Sequence, residues 1–275
     1  MAIHHQNKLT GLVQGVLILL TAVIILTPIY WMVAAAFKPY AEVFQPHLFF
    51  TPTLDNFVAI MQPPYEIHKK FLNSAIVALT TVAIAIPVAT MAAYSFSRFR
   101  IRGEKTIFMA IIATQFVPSV ILLLPFFILF RDLNLLDTRF GLILVNLSFV
   151  IPYAVWMIKG FIDAIPLDTE EAAMVDGSTR IQVIKNIVIP MAAPGLITAG
   201  IFCFIVAWNE FLLALIVTSR EALTLPVGLA LFNTEQGDLW QMISATGILI
   251  MLPMFALGFV IQKHFVQGST SGAVR

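Results

Sequence analysis

The sequence predicts an all-α integral membrane protein: six transmembrane helices, with a polar two-helix elbow on the cytoplasmic side between the fourth and fifth. Three observations lead there. Of 275 residues, 59% are hydrophobic and only 11% charged. That is about half the charge density of an ordinary soluble domain and too little to cover a wetted surface. Six apolar stretches reach or approach the roughly 20 residues that cross a bilayer core. Between the last two pairs of these lies "EEAAMVDGSTRIQVIKNIVIP", Glu170 to Pro190, which carries five charges in an otherwise greasy neighbourhood.

The spans run in order over 12–37, 71–97, 106–130, 140–158, 191–217 and 239–262. All are free of charge except the fifth, which holds Glu210. Pro28, Pro87, Pro118, Pro125, Pro152 and Pro253 fall inside spans. They would break isolated soluble helices, but a membrane bundle tolerates them as kinks. The first span is too long for a cleavable signal and no small-x-small site follows it, so it is expected to stay. Lys and Arg set the orientation. With a cytoplasmic N-terminus the inner segments hold ten basic residues and the outer ones six. The short "SRFRIRGEK" connection decides the matter with Arg98, Arg100, Arg102 and Lys105. Both termini and the elbow are then inside. The whole chain, 1–275, reads as one transmembrane domain.

The connecting loop 159–190 reads as two short helices. Asp168 is placed to N-cap the first, with Glu171 at N3 as a capping box. Gly177 suits the left-handed position that stops it. Ser178 is placed to cap the second helix, on which Ile181, Ile184 and Ile187 share a face. Pro190 is expected to end it. Nothing about a bilayer calls for such an object; a protein partner would.

Other chemistry is sparse. Cys203 is the single cysteine, so no intrachain disulfide can form. A net charge of +1 gives no reason to expect nucleic acid. No His, Cys, Asp and Glu cluster has metal-ligand spacing. "GEKT" at Gly103–Thr106 lacks the upstream glycine of a phosphate-binding loop. No catalytic constellation is present. Polar residues at membrane depth stand out instead: Gln115, Asn146, Asn209 and Glu210, with Trp208 beside the last two. Aromatic and amide side chains suit a sugar, by stacking and by bonding hydroxyls. The competing reading is hydrogen bonding between helices that holds the bundle together.

The elbow resembles the signature of ATP-binding-cassette importer permeases. It stands here as Glu171-Ala172-Ala173, Asp176-Gly177, Ile187 and Pro190, with Glu170 in front and Ile189 where Leu is common. "TQFVPSVILLLPFFILFRDLNLLDTRFGLIL" and "AWNEFLLAL" are similar to spans of the carbohydrate-type permeases. "VQGSTSGAVR" is similar to the tail of the shorter, six-span permease of maltose and trehalose importers. The resemblance implies a coupling helix seated in a cleft of an ATP-binding subunit, with a Glu171 carboxylate facing a basic partner residue. It further implies a second permease as heterodimer partner, two ATP-binding subunits, and an extracytoplasmic sugar-binding protein. No cofactor is expected in this chain; ATP and Mg belong to the ATPase subunits. The expected setting is the bacterial plasma membrane, and the expected cargo a di- or oligosaccharide moved inward by alternating access. The outer segment Asn233-Thr234-Glu235-Gln236-Gly237 is expected to reach into the docked binding protein, the alternative being a solvated linker. Two rivals stand. One is a permease of the same superfamily for a polyol, glycerol phosphate, peptide or other solute. The other is an ion-coupled carrier using Glu210, which would leave the elbow unexplained.

Overall fold

The computed structural model describes residues 8–270 apart from Leu48, Ile101 and Gln236. Gln236 and the last five residues of the tail motif therefore lie outside the described residues. The chain separates into two compact units, Met1–Ile67 with Leu229–Met251, and His68–Gly228 with Leu252–Arg275.

In the first unit, α1 (Lys8–Phe37) is strongly apolar and, from Gly11 on, leaves most of its side chains bare until its last turn. Leu12, Ile18 and Ile24 are each about two-thirds or more exposed, which suits lipid or another subunit and not water. The last turn is held by Asn56 of α2 (Asp55–Met61). Its Nδ2 donates to the Ala36 and Lys38 carbonyls, 2.8 Å each, which α1 itself leaves unpaired. Lys38 is buried, with Nζ over the Trp31 and Phe50 rings and donating to the Gln45 carbonyl. A small hairpin follows, β1 (Asn233–Thr234) and β2 (Gly237–Asp238), before α12 (Trp240–Thr270) begins.

The second unit is built around α3 (Ile67–Arg98), α6 (Arg139–Asp163) and α9 (Ile189–Trp208). Ala85, Ala89 and Ala93 recur every fourth residue on α3 and are wholly buried. They pack with Ala154, Ile158 and Ile162 of α6 and with Ala192, Ala199 and Cys203 of α9. Between lipid-solvated helices the gain comes from close packing, and small side chains let the backbones approach. Gly195 of α9 belongs to the same logic: a Cβ there would collide with the Phe161 ring.

Among the described residues five helices are long and apolar enough to cross a membrane, and a bent pair makes the sixth if counted as one span. The bent pair is the first departure from expectation. The predicted span 106–130 is α4 (Glu104–Ala113) with a 3-10 turn at Thr114–Phe116, then α5 (Ser119–Asp132), turned by 96°. Pro118 is the reason. It carries no N–H for the preceding turn and drives Val117 into an extended conformation. The second departure is the predicted span 191–217, which stops at Trp208 and resumes as α10 (Leu212–Val217).

The connections before α6 and after α10 are anchored more firmly than their composition indicates. Asp137, at φ 54°, accepts from the backbone N–H groups of Ser219, Arg220, Glu221 and Ala222 at 3.0–3.1 Å. Partial burial alone would raise its pKa. The four N–H groups win and hold the carboxyl down at about 2. Asn73 of α3 donates to the Glu221 and Leu223 carbonyls and accepts from Arg139, and Ser74 accepts from Leu225 N–H. The segment after α10 is thus drawn back onto the ends of α3 and α6, leading into α11 (Leu225–Ala230), whose Leu225 and Val227 are buried.

Candidate functional site

The elbow consists of α7 (Leu167–Val175), a turn, and α8 (Arg180–Val183), which passes through a π-helical turn at Ile184–Val188 directly into α9. Its sequence signals are partly displaced. Pro166, not Asp168, occupies the N-cap of α7, since a proline has no N–H to leave unpaired and its φ already fits. Thr179, not Ser178, caps α8, and it forms a reciprocal capping box with Gln182. Pro190 does not end the second arm. It lies in the first turn of α9, and the wider π turn before it accommodates the missing N–H. Gly177 has φ 93°. Around it Ser178 N–H reaches the Ala173 carbonyl and Gly177 N–H the Met174 carbonyl, the double bond pattern of a Schellman stop.

The two faces of the elbow differ sharply. On the inner face Glu170 is buried, and its Oε1 receives Arg98 Nε at 2.6 Å while its Oε2 receives the Tyr94 hydroxyl at 3.0 Å. Arg98 also donates to the Ile162 and Ile165 carbonyls at the end of α6. One ion pair therefore ties α7 to the last turn of α3 and to the exit of α6. Glu170 is occupied within its own chain and is not offered outward. Ala173 is half-buried beside it. On the outer face Glu171, Ala172, Asp176 and Gly177 are exposed. Val175 is 87% exposed at the tip. In the second arm Val183 and Val188 are buried, Ile184 and Ile187 half-buried, and Ile181 is 78% exposed. The expected three-isoleucine face does not pack as a unit, because the π turn rotates the residues after Val183. The result is a knob with a fixed root and a bare, acidic and apolar tip.

A second constellation lies deeper in the same unit. A cavity of about 220 Å³ is lined by Gln115, Ser119, Asn146, Tyr153, Phe202 and Glu210, among others. Both helix breaks open on it. Gln115 sits in the 3-10 turn before the bend at Val117–Pro118. Glu210 sits in the gap between α9 and α10, its two oxygens accepting from Leu213 and Ala214 N–H at 2.8 Å each. A carboxylate at a helix N-terminus is satisfied by the unpaired N–H groups and by the dipole. This explains how an acid is held at membrane depth, and why the fifth span breaks there. Discontinuous helices whose ends face a cavity at membrane depth are a recurrent way to build a solute path.

Of the five path residues expected, three converge. Asn146 lines the cavity, with Nδ2 donating to its own Leu142 carbonyl. Trp208 is buried, stacked on Phe204 and edge-on to Phe71; it belongs to the core. Asn209 is exposed and bonds back to the Ile205 carbonyl. Sequence reasoning passed over Tyr153, whose ring stacks on Phe202 with centroids 5.0 Å apart. A signal existed: Asn146, Phe149, Val150 and Tyr153 follow i, i+3, i+4, i+7 spacing and all line the cavity.

In the first unit, Asn233 and Thr234 pair antiparallel with Asp238 and Gly237. Gly237 has φ 116°, and Thr234 Oγ1 donates to its carbonyl. Asn233, Thr234, Glu235 and Gly237 are exposed. The segment is a polar, exposed two-stranded hairpin.

Residues 68–270 match the family described as "Binding-protein-dependent transport system inner membrane component". The chain is 38% identical over 255 residues to the sulfoquinovosyl glycerol transport system permease protein SmoH of Agrobacterium fabrum, covering 91% of this chain and 89% of that one. It is 35% identical over 254 residues to the trehalose transport system permease protein SugB of Mycobacterium tuberculosis, covering 91% and 92%. Among solved structures it is similar to a chain of a bacterial ABC transporter involved in the import of the acidic polysaccharide alginate. The TM-score is 0.78 at 24% identity, covering 96% of this chain and 99% of that one.

Proposed function

This chain belongs to the family of binding-protein-dependent transport system inner membrane components, and from that premise we propose that it is one permease subunit of an ATP-binding-cassette importer for a sugar-bearing solute. The observation that carries the reading is the elbow: a knob rooted by the Glu170–Arg98 pair, with Glu171, Val175 and Asp176 bare at its tip. A rigid root and an unpaired tip are what a lever between two proteins requires. In this reading the tip docks in a cleft of an ATP-binding subunit, Glu171 against a basic side chain, so that closure of the ATPase pair moves α7 and, through Arg98, the end of α3. The two permeases of the heterodimer rock between inward-open and outward-open states. A binding protein delivers the sugar at the outer face, where the hairpin Asn233–Asp238 reaches towards it. Both termini lie in the cytoplasm. ATP and Mg are held by the ATPase subunits, and this chain performs no covalent step.

A sugar is favoured by the make-up of the cavity and by the relatives' names. Tyr153 and Phe202 offer rings to pyranose CH groups, while Gln115, Ser119 and Asn146 offer donors and acceptors to hydroxyls. A phosphate-bearing solute fits less well, since no Lys or Arg is among the lining residues and Glu210 is. As a proton carrier Glu210 is poorly placed, because both its oxygens already hold backbone N–H groups. Uptake of labelled trehalose and other oligosaccharides into vesicles tests the reading. Accumulation should need the ATPase subunits, the binding protein and ATP together. Accumulation by this chain alone, driven by a proton or sodium gradient, would overturn it.

A further inference from the structure

Beside the elbow, a groove of about 620 Å³ runs between α3 on one side and α8, the π turn and α9 on the other. Ile86, Met91 and Phe99 line one wall, Ile184 and Leu196 the other, and Arg180 stands at one end. From Ile86 to Phe99 the α3 wall is about 20 Å long at 1.5 Å per residue. That exceeds half of the roughly 30 Å hydrocarbon core, the depth one acyl chain spans. The polarity is graded along it. The Ile86 and Leu196 end is aliphatic. At the other end the Arg180 guanidinium lies 4.8 Å from the Phe99 ring centroid. Among the described residues Arg180 forms no ion pair, whereas the neighbouring acid Glu170 is already neutralised by Arg98. Arg100 and Arg102 are exposed just beyond Phe99, and Lys185 one turn beyond Ile181. Arg180 begins a stretch long and apolar enough to cross a membrane and lies against Phe99, just past the end of α3, a placement that suits the membrane–water boundary on whichever side that is.

The geometry points to a binding site for one anionic phospholipid, with an acyl chain laid along α3 and the headgroup phosphate on Arg180. A basic pocket between helices at the interface has the right charge for such a headgroup, and guanidinium matches phosphate oxygens in pairs. A bound lipid would fill the angle between α3 and the second arm of the elbow, bracing the knob on the side that the Glu170–Arg98 pair does not reach. The site does not depend on the transport reading or on the cargo.

The test is native mass spectrometry of the full-length chain, purified and exposed to equal amounts of phosphatidylglycerol and phosphatidylcholine. Wild type should retain phosphatidylglycerol roughly fivefold better, the preference one basic residue confers near an anionic surface. Arg180→Gln should bring the ratio close to one, and Met91→Trp, which fills the groove, should lower retention of both lipids. Equal retention by wild type, no retention, or an unchanged preference in Arg180→Gln would overturn the site. A photo-reactive benzophenone side chain at Ile184 gives a second measurement in intact membranes. A mass increase of one phospholipid supports the proposal; a cross-link to a polypeptide means a protein covers the groove and overturns it.

Discussion

Glu170 and Glu171 adjoin in sequence and face opposite ways, and the difference decides what each can do. Glu170 closes a buried pair whose partners are 5% and 4% exposed. Removing one member leaves the other charged in a dry site, which costs roughly 3–5 kcal/mol. Glu170→Ala and Arg98→Met should therefore lower the thermal stability of the solubilised chain and its yield. Glu171→Lys should leave stability near wild type but abolish sugar-stimulated ATP hydrolysis in the assembled complex. Equal stability losses at both positions would contradict this division. Read as sequence, the motif points to Glu171 as the partner-facing acid, but nothing in it shows that Glu170 is buried. The partner of Glu170 lies 72 positions away among four basic residues of one short connection, and nothing local distinguishes Arg98 from the others. Asp137 is a comparable case outside the membrane. Its folded pKa, about 2, lies below the 3.8 of a free Asp side chain, so folding favours the charged form. The stability it supplies is present above about pH 4 and is lost as pH falls towards 2. Melting curves across that window should fall less steeply for Asp137→Asn than for wild type; identical slopes would remove the carboxylate from the anchoring of the 219–222 turn.

Each element carries its own record of what patterning can reveal. Charge-free length located α1, α3, α6 and α12, because a membrane span is a property of a whole window. The same criterion ran straight through the two breaks, since Val117–Pro118 carries no charge and one amide and one acid at Asn209–Glu210 do not outweigh the long apolar window around them. Pro118 was visible, yet Pro87, Pro152 and Pro253 lie inside unbroken helices. A proline by itself therefore does not announce a break. Glu210 was visible too, and its capping of α10 depends on geometry that one residue cannot announce. In the elbow the stop at Gly177 was legible because positive φ restricts residue choice. The caps were misplaced by one or two residues, because Thr179 competes with Ser178 for the same role and the helix already starts behind Pro166, ahead of Asp168. Gly177→Val should strain the turn by roughly 1–3 kcal/mol and displace the elbow tip. Measured in the complex, ATPase stimulation should fall while Gly177→Asn, which tolerates the left-handed region, retains most of it. Equal losses in both would mean that the backbone conformation is not what matters.

At the scale of the whole chain the account makes a statement about sides. The hairpin at Asn233–Asp238 and the elbow should face opposite compartments, with the elbow in the cytoplasm. Single cysteines at Thr179 and Glu235 in a Cys203→Ser background should react with impermeant maleimide from opposite faces of sealed vesicles. Labelling from one face would mean that α9–α10 turns back instead of crossing, whereas opposite faces with the elbow outside would mean that the bent pair α4–α5 dips and returns. The central claim, that this chain transmits ATPase motion through the elbow, has a more direct test. Val175, bare at the tip, is replaced by cysteine in the assembled complex, and single cysteines are placed in turn around the cleft of the ATP-binding subunit. The account predicts a disulfide cross-link from Val175→Cys to the cleft, formed with differing yield in the ATP-bound and nucleotide-free states. Absence of any cross-link in a complex that still transports sugar would contradict it.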